Sequence, residues 1–485
     1  MKLMNIVEGM KGMARLIGNG ENVEIDALCM DSRKKMGKGA MFFCIPGFTF
    51  DGHNYAAQAA AAGVSALVVE RELDVDCPQL LVDDARAAAA RIAAIFYGHP
   101  ADEMKLIGIT GTKGKTTTSF QVKSVLETAG YKVGLIGTVC SMIGDTQIPS
   151  TLTTPDHIDF QKLLRQMADA GVQYVVMEVS AHAMALSRLV GVKFAAAAFT
   201  NLSQDHFDFF GNMENYCAAK MRLFTKEMCE KAVYNGDDER VLEAMSKAEI
   251  PHTAYAIRRN SDIFAKDIEI GERGCNFQIN FYKRYRLDVE LKMSGVFNVY
   301  NAMTAAALCD AVGITPEHIR EGLERVKNVP GRIELLDTDT PYRVILDYAH
   351  SPDALENILE TIRQTAKARV IALFGCGGDR DHEKRPLMGE IGGRLADYCI
   401  LTSDNPRSEN PFDILEEIEE GIKPTGGEYT VIENRREAIR YALTIAQPGD
   451  VVVLAGKGHE TYQEIKGVKH PFDEKVVVQE LLEEM

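Results

Sequence analysis

Short apolar runs recur along the chain, and each is bounded by turn-forming residues and followed by enough sequence for a helix. In the middle of the chain these runs are Lys105–Thr110, Val133–Ile136, Tyr174–Glu178 and Ala195–Thr200. In the last third they are Arg343–Asp347, Val370–Phe374, Tyr398–Thr402 and Val451–Ala455. The intervening sequence predicts helices, among them Ser119–Thr128, Asn298–Val312, Ala354–Thr365 and Arg435–Ile445. Strands that alternate with helices are typical of parallel sheets in α/β proteins.

The length of the chain suggests several domains. At roughly 150 residues per domain, 485 residues correspond to about three. Near the amino terminus, β-like runs at Ser65–Val69 and Gln79–Val82 alternate with alanine-rich stretches, and the sequence FYGHP at Phe96–Pro100 predicts a linker. We therefore predict domains at residues 1–100, 101–330 and 331–485, with a doubly wound sheet in each of the last two.

Composition and charge exclude several classes of protein. The chain has 70 acidic and 54 basic residues, a formal net charge of −16, which disfavours a general nucleic-acid binder. No run approaches the roughly 20 apolar residues of a membrane span, and the first 20 residues contain no secretory signal pattern. The ten cysteines include no C-x-x-C pair, as expected in a reducing compartment. We expect a cytoplasmic monomer.

The clearest local motif is GTKGKTT, between a predicted strand and a predicted helix. Its glycines let backbone N–H groups turn toward phosphate oxygens, and the helix amino terminus adds partial positive charge. Lys115 is placed to reach the β- and γ-phosphates of ATP, and Thr116 to hold Mg²⁺. The spacing departs from the strict P-loop pattern because Ile109 stands where a glycine is usual, and a lysine-rich turn is the alternative. The predicted ATP-binding residues are Gly111, Thr112, Lys113, Gly114, Lys115, Thr116 and Thr117.

Three further residues of the central region carry possible chemistry. Glu178 ends an apolar strand, where its carboxylate suits Mg²⁺, although a solvated strand-end glutamate is an even alternative. His206, in TNLSQDHFD, is a candidate base, metal ligand or structural histidine. Lys220, in the helical sequence CAAKMRLF, is by itself expected to be a surface lysine.

The last third contains three polar motifs after predicted strands. The first, GCGGDRDHEKRP, offers Arg380 and Arg385 as clamps for carboxylates. The second is Asp404–Arg407, DNPR, in which Asp suits an ammonium group and Arg a carboxylate, as an amino acid requires. The third is Gly456–Glu460, GKGHE. Ordinary turns are the alternative for each motif.

In this order the motifs resemble the Mur ligase family over essentially the whole chain. The resemblance implies an α/β protein of three domains: an amino-terminal domain for a uridine nucleotide, a central P-loop ATPase-like domain and a carboxyl-terminal Rossmann-like domain for an amino acid. Among these ligases the chain is similar to those that add the third amino acid. The Arg of DNPR resembles the branch that adds meso-2,6-diaminopimelate to UDP-N-acetylmuramoyl-L-alanyl-D-glutamate during peptidoglycan precursor synthesis.

The resemblance also implies roles for individual residues. Lys115, His206 and Lys220 are expected to be catalytic; Lys220 would carry a CO₂-derived carbamate, and Glu178, His206, Thr116 and this carbamate would hold Mg²⁺. Contacts to the adenine or ribose of ATP are implied for Asn301, Arg332 and Asp347. Contacts to the UDP-muramoyl dipeptide are implied for Ser32, Thr153, Thr154, Ser180 and Arg188. Diaminopimelate is expected to contact Arg380, Asp404, Asn405, Pro406, Arg407, Gly456 and Glu460.

The chain departs from the family pattern at two positions, since Ala181 stands where a second serine is common and Leu186 where some relatives have glutamine. The implied reaction is ATP-driven amide formation through an acyl phosphate. The alternatives are a lysine-adding ligase, a folylpolyglutamate synthetase and a nucleotide switch that hydrolyses ATP without ligation. DNPR and the long amino-terminal region weigh against the other two ligases, and the switch would not need the cluster of Arg380, Asp404 and Arg407.

Overall fold

The computed structural model describes residues 1–34, 36–47, 50–150 and 152–485. They form two compact units. The first comprises Met1–Phe264, Phe281–Tyr285 and Asn301–Gly322, and the second Ala265–Asn280, Arg286–Tyr300 and Leu323–Met485. No helix within the described residues is both long and apolar enough to cross a membrane.

The first unit begins with a small five-stranded sheet. Its elements are α1 (Leu3–Gly9), β1 (Arg15–Ile17), β2 (Ala27–Cys29), β3 (Ala40–Phe43), α2 (Ala56–Ala61), β4 (Ala66–Val69), β5 (Gln79–Leu81) and α3 (Ala85–Phe96). The strand order is β1-β5-β4-β3-β2, and only β1 runs antiparallel to its neighbour. The carboxylate of Asp84 accepts hydrogen bonds from the first-turn N–H groups of Arg86 and Ala87, which fixes the start of α3.

The larger sheet follows in the sequence. Its strands and helices begin with β6 (Lys105–Thr110), α4 (Lys115–Thr128), β7 (Val133–Ile136), β8 (Ser141–Ile143), β9 (Thr146–Ile148), α5 (His157–Asp169) and β10 (Tyr174–Glu178). The next are α6 (Ala181–Ala185), β11 (Phe194–Phe199), α7 (Phe207–Phe210), α8 (Met213–Met221), β12 (Ala232–Asn235), α9 (Glu239–Met245) and β13 (His252–Ala256). The elements up to the second unit's sheet are β14 (Ile263–Ile270), β15 (Cys275–Phe281), β16 (Tyr285–Leu291), α10 (Val296–Ala311) and α11 (Pro316–Arg325).

Six parallel strands form the centre of this sheet, in the order β13-β12-β11-β6-β10-β7. The antiparallel strands β8 and β9 extend it beyond β7. Because β6, β10 and β11 are parallel neighbours, the loops after them emerge at the same edge, where open α/β sheets bind ligands. This arrangement brings GTKGKTT, Glu178 and TNLSQDHFD to that edge.

The second unit contains a six-stranded sheet in the order β17-β18-β22-β19-β20-β21, parallel except for β17. Its elements begin with β17 (Glu334–Leu335), β18 (Arg343–Asp347), α12 (Pro352–Thr365), β19 (Val370–Phe374), α13 (Lys384–Leu395), β20 (Tyr398–Leu401) and α14 (Pro411–Ile422). They continue with β21 (Tyr429–Val431), α15 (Arg435–Ile445), β22 (Val451–Ala455), the hairpin β23 (Tyr462–Ile465) and β24 (Val468–Pro471), and α16 (Glu474–Glu484).

The sheets confirm the predicted α/β fold class. Six predicted strands have the observed bounds: β6, β7, β10, β18, β19 and β22. The helix predicted from Ser119 begins earlier, at Lys115, because the last residues of the phosphate-loop motif already form its first turn. The predicted linker coincides with the end of α3 and a left-handed turn at Gly98 and His99. The domain limits 1–100, 101–330 and 331–485 stay a prediction.

A fully buried ion pair in the second unit connects two helices with the ends of two strands. The Nε of Arg435, in α15, lies 2.8 Å from Oε1 of Glu474, in α16, and both side chains are completely buried. The two Nη groups of Arg435 donate to the carbonyls of Ser403 and Ala455, just after β20 and at the end of β22. Burial raises the pKa of Glu474, and the Arg435 charge opposes that rise. The pair therefore holds two strand ends in register.

Replacing Arg435 with Met leaves the buried Glu474 carboxylate without its cationic partner. We expect a loss of about 3–5 kcal/mol in the free energy of unfolding, as for other broken buried pairs, measured as a lower urea midpoint for the second unit. The control is Arg436→Met, because Arg436 pairs with Glu480 and Glu484 near the surface at 2.6 and 2.8 Å. Its loss should cost less than about 1 kcal/mol. Equal destabilisation by both substitutions would contradict the assigned role.

Candidate active site

The phosphate-loop motif forms a tight turn between β6 and α4. Gly111 and Gly114 have φ values of 143° and 84°, in the region that favours glycine. A β-carbon at Gly111 would collide with the hydroxyl of Thr200, and one at Gly114 with the side-chain oxygen of Asn301. The turn therefore packs closely against its neighbours at the start of α4, and Asn301, expected to contact ATP, lies beside it.

The loop after β11 braces this turn. Asn201 Oδ1 accepts from the N–H of Lys113 at 2.8 Å, and the Asn201 carbonyl accepts from the N–H of Thr112 at 3.0 Å. The hydroxyl of Thr200 donates to the carbonyl of Lys113 at 2.6 Å. Neither Thr200 nor Asn201 was predicted from the sequence to have a role; their position directly after an apolar strand was the available indication.

Lys220 is buried beneath the same turn. Its Nζ donates to the Gly111 carbonyl at 3.0 Å and lies 4.4 Å from the centre of the Tyr216 ring. The Nζ of Lys115 donates to the same carbonyl at 2.9 Å. Burial lowers the pKa of Lys220 well below its usual value, and the neighbouring Lys115 charge lowers it further. The alternative of a surface lysine is therefore wrong.

Glu178 is also buried rather than solvated, at 1% exposure. Its Oε1 accepts from the backbone N–H of Thr138 at 3.0 Å, and its Oε2 accepts from the Thr138 hydroxyl at 2.9 Å. A β-carbon at Gly137 would collide with the carboxylate. Thr138, which the sequence analysis missed, therefore fixes both oxygens of the proposed metal ligand.

Four residues implied for the UDP-muramoyl dipeptide cluster around Glu178. The Thr154 hydroxyl donates to the Glu178 carbonyl at 2.8 Å and accepts from the N–H of Ser180 at 3.1 Å. The Thr153 hydroxyl lies 3.0 Å from that of Thr138. Arg188 donates to the Thr154 carbonyl at 3.0 Å.

A second contact of Arg188 runs to Asp156, whose Oδ1 lies 2.9 Å from its Nε. Ser32 lies in the turn after β2. Four of the five residues implied for this substrate therefore contact one another, Glu178 or Thr138, which holds Glu178.

His206 lies at the start of α7 with a positive φ of 56°. Its Nε2 is 3.5 Å from Oδ2 of Asp205, and its ring centre is 4.7 Å from that of His182. Burial lowers the pKa of His206, and the charges of Lys115 and Lys220 contribute to the same effect. The neutral imidazole that results is the form that ligates metals.

Burial lowers the pKa of the neighbouring His182 to about 4. The described residues contain no group of three or more His, Cys, Asp or Glu side chains placed to hold a metal. Glu178 and His206, the predicted ligands, belong to no such group, so a metal held by them would need further ligands of another kind.

Two residues implied for ATP meet in the second unit. The Arg332 guanidinium lies 5.1 Å from the centre of the Tyr348 ring, and Asp347 Oδ2 accepts from the N–H of Ile333 at 2.8 Å. The N–H of Tyr348 donates to the carbonyl of Gly331 at 3.0 Å. These contacts join the segment before β17, which carries Arg332, to the carboxyl end of β18, which carries Asp347.

Three of the residues implied for the incoming amino acid, Asp404, Asn405 and Glu460, form a largely buried cluster after β20 and β22. Asn405 Nδ2 donates to Oε2 of Glu460 at 2.9 Å. The Nζ of Lys457, which is completely buried, donates to Asn405 Oδ1 and to Glu460 Oε2 at 3.0 Å each, and lies 3.7 Å from Asp404 Oδ1. Gly456 has a φ of 116°, and a β-carbon there would press against Asp404. The sequence analysis missed Lys457.

The two arginines of this region lie near Gly377. A β-carbon on Gly377 would come within 2.9 Å of Arg407 Nη1 and 3.9 Å of Arg380 Cγ. Arg407 donates to the Gly378 carbonyl at 2.6 Å, and its Nε lies 3.5 Å from Glu464 Oε2. Arg380 is exposed and donates to the carbonyl of Asp379 at 3.3 Å. Pro406 completes the turn, with its carbonyl against Gly378.

Arg385 corrects the prediction of a second substrate clamp. Its side chain is completely buried, with Nη2 2.9 Å from Oε1 of Glu409 and Nη1 3.0 Å from Oε2 of Glu417. The guanidinium does bind carboxylates, but they are the protein's own. The prediction is wrong because Arg385 faces α14 from the first turn of α13 rather than a ligand.

Three family models match the chain. They are the Mur ligase family, catalytic domain, at residues 24–115; the Mur ligase middle domain at 109–309; and the Mur ligase, glutamate ligase domain at 331–458.

Relatives match over the full length. The UDP-N-acetylmuramoyl-L-alanyl-D-glutamate–2,6-diaminopimelate ligase of Caldanaerobacter subterraneus subsp. tengcongensis is 46% identical over 484 residues, covering 99% of each chain. The same-named ligase 1 of Clostridium acetobutylicum is 44% identical over 490 residues, covering 100% of each. A solved structure of such a ligase has a TM-score of 0.69 at 31% identity, covering 96% of each chain. MurF from Acinetobacter baumannii, 20% identical, shares the fold with a TM-score of 0.67 over 99% of this chain and 98% of its own. This chain belongs to the Mur ligase family.

Proposed function

We propose that the chain is an ATP-dependent amide ligase that joins meso-2,6-diaminopimelate to the D-Glu γ-carboxylate of UDP-N-acetylmuramoyl-L-alanyl-D-glutamate, in peptidoglycan precursor synthesis. The observation that carries the proposal is the cluster of Asp404, Asn405, Arg407 and Glu460, which offers both signs of charge to an amino acid. The names of relatives that are 44–46% identical over the full length support the same reaction.

ATP fits the turn between β6 and α4. Its backbone N–H groups and the amino terminus of a 14-residue helix favour phosphate oxygens, and both close approaches at Gly111 and Gly114 require glycine. The Nζ of Lys115 now donates to the carbonyls of Gly111 and Thr112, each at 2.9 Å, so it lies over the turn where phosphates would bind.

Magnesium fits the oxygen and nitrogen donors at the same edge. We assign its protein ligands to Thr116, Glu178 and His206, with phosphate oxygens as the further ligands that the single carboxylate requires. When bound, Mg²⁺ would offset repulsion between the anionic carboxylate and phosphate groups. Thr138 holds the Glu178 carboxylate in one orientation, which limits the reorganisation needed on binding.

A carbamate on Lys220 would supply a second anionic ligand. The lowered pKa leaves a neutral amine, whose lone pair adds to the carbon of CO₂ while one proton leaves to solvent. The new N–C bond turns a buried neutral amine beside Lys115 into an anion. The carbamate would then attract the Lys115 ammonium group.

The proposed reaction has two steps. The γ-carboxylate attacks the γ-phosphorus of ATP, ADP leaves, and an acyl phosphate forms. The amine of diaminopimelate then attacks the acyl carbon, loses a proton, and phosphate leaves. Lys115 stabilises the charge on the phosphate oxygens, while Asp404 and Glu460 orient an ammonium group and Arg407 a carboxylate.

A lysine-adding ligase is the second candidate within the family. Lysine lacks the distal carboxylate that we assign to Arg407, so its binding would leave that guanidinium without a substrate partner. A nucleotide switch without ligation would not require the buried amino-acid cluster. A cytoplasmic location and a monomeric state stay predictions.

The substrate assignment is tested with the UDP-muramoyl dipeptide, ATP and a panel of meso-diaminopimelate, L-lysine and L-ornithine. We expect ADP release and a new amide product only when both the dipeptide and diaminopimelate are present. Ligation of lysine at an equal rate would overturn the assignment to Arg407. ADP release at the same rate with and without an amino acid would support a nucleotide switch instead.

Thr138→Val removes the hydroxyl that donates to Glu178 while keeping the backbone donor. We expect the Mg²⁺ concentration for half-maximal activity to rise about tenfold, as for other residues that orient metal ligands. Thr146→Val, on the exposed strand β9, is the matched control. An unchanged Mg²⁺ requirement in Thr138→Val would show that the Thr138 hydroxyl does not orient Glu178 for metal binding.

Lys220→Ala removes the proposed carbamate and leaves a cavity under the phosphate loop. We expect activity to fall strongly and to recover in part with short carboxylic acids such as acetate or formate, because they restore a carboxylate there. The control Lys226→Ala, at a surface lysine paired with Glu249, should keep full activity, and added acid should not alter it. Full activity of Lys220→Ala without added acid would rule out the carbamate.

A further inference from the structure

Lys457 is a completely buried lysine that no step of the proposed reaction uses. It lies between two glycines of the GKGHE loop, Gly456 and Gly458, with φ values of 116° and 54°. A β-carbon at Gly458 would come within 2.9 Å of the Tyr348 side chain. Lysines are almost never fully buried unless they are paired, so the partners of this ammonium group indicate what it does.

The ammonium group of Lys457 faces three acceptors. Asn405 Oδ1 and Glu460 Oε2 each accept a hydrogen bond at 3.0 Å, and Asp404 Oδ1 lies 3.7 Å away. Two of the three N–H donors of the ammonium group are thus used in hydrogen bonds, and the contact with Asp404 is an ion pair. All three partners are residues that we assign to the incoming amino acid.

The contacts fix the orientation of the Asn405 amide. Its Oδ1 accepts both from Lys457 and from the N–H of Glu464, at 2.9 Å, and its Nδ2 donates to Glu460. A flipped amide would turn its NH₂ group toward two donors and its oxygen toward a carboxylate. Lys457 therefore sets which face Asn405 offers to a ligand.

The same ammonium balances charge. Asp404 and Glu460 bring two carboxylates into a buried cluster, and Lys457 supplies one positive charge between them. Two neighbouring ion pairs, Arg435 with Glu474 and Arg407 with Glu464, each cancel their own charge. Lys457, Asp404 and Glu460 together retain one net negative charge, which matches one substrate ammonium group.

We propose that Lys457 is a positioning residue for the incoming amino acid, which orients Asn405 and Glu460 and cancels one of two carboxylate charges so that the cluster accepts a single ammonium group. This inference rests on the proposed function. It assigns Lys457 no contact with the reacting atoms, so its loss should weaken capture of the amino acid rather than phosphate transfer.

The test is steady-state kinetics with each of the three substrates varied in turn. Lys457→Gln removes the charge, keeps hydrogen-bonding capacity and has a shorter side chain. We expect KM for diaminopimelate to rise at least tenfold, with KM for ATP and for the UDP-muramoyl dipeptide within twofold of the unsubstituted protein. Lys469→Met, at an exposed lysine of β24, is the control and should leave all three values unchanged.

A second variant separates positioning from folding. Lys457→Arg retains the charge, and we expect it to raise KM for diaminopimelate less than Lys457→Gln does, with unfolding midpoints measured for both. An unchanged KM for diaminopimelate in Lys457→Gln, or an equal rise in all three KM values, would overturn the inference. Failure of the unsubstituted protein to ligate diaminopimelate would instead contradict the proposed function.

Discussion

Two lysine side chains converge on one backbone carbonyl, that of Gly111, and the rest of the proposed nucleotide site depends on this crowding. Burial lowers the pKa of Lys220, and the neighbouring Lys115 charge lowers it further, so the neutral amine is favoured. In the proposed reaction, Lys115 retains the task of meeting phosphate charge. The loop after β11 keeps the carbonyl in place, because Asn201 and Thr200 hold the turn from the opposite side.

The second unit solves the same physical problem in another way. Its buried cations form ion pairs: Arg435 pairs with Glu474, and Lys457 with Asp404 and Glu460. Unpaired, any of these groups would carry a desolvation penalty of several kcal/mol. Pairing leaves a cluster whose geometry is set before a ligand arrives, which suits a site that must select one zwitterion among similar ones.

The strands and the phosphate loop were predictable because their information is local. Buried parallel strands such as β6, β10 and β22 are continuous apolar runs, and GTKGKTT stands between a strand and a helix. The contacts of Thr138, Asn201 and Lys457 join residues 40, 88 and 52 positions apart, so no local pattern announces them. Short antiparallel strands such as β8 and β9 were missed because three residues carry too little periodicity to detect.

The misassigned arginine has a consequence for natural variation. Arg385 binds Glu409 and Glu417 from the interior, and these three residues span the start of α13, the loop before α14 and α14 itself. Loss of either glutamate leaves the buried guanidinium with one partner instead of two, whereas loss of both strands a positive charge in the interior. The two glutamates therefore act as mutual reserves, and this corner of the fold tolerates substitution at one of them only while the other remains.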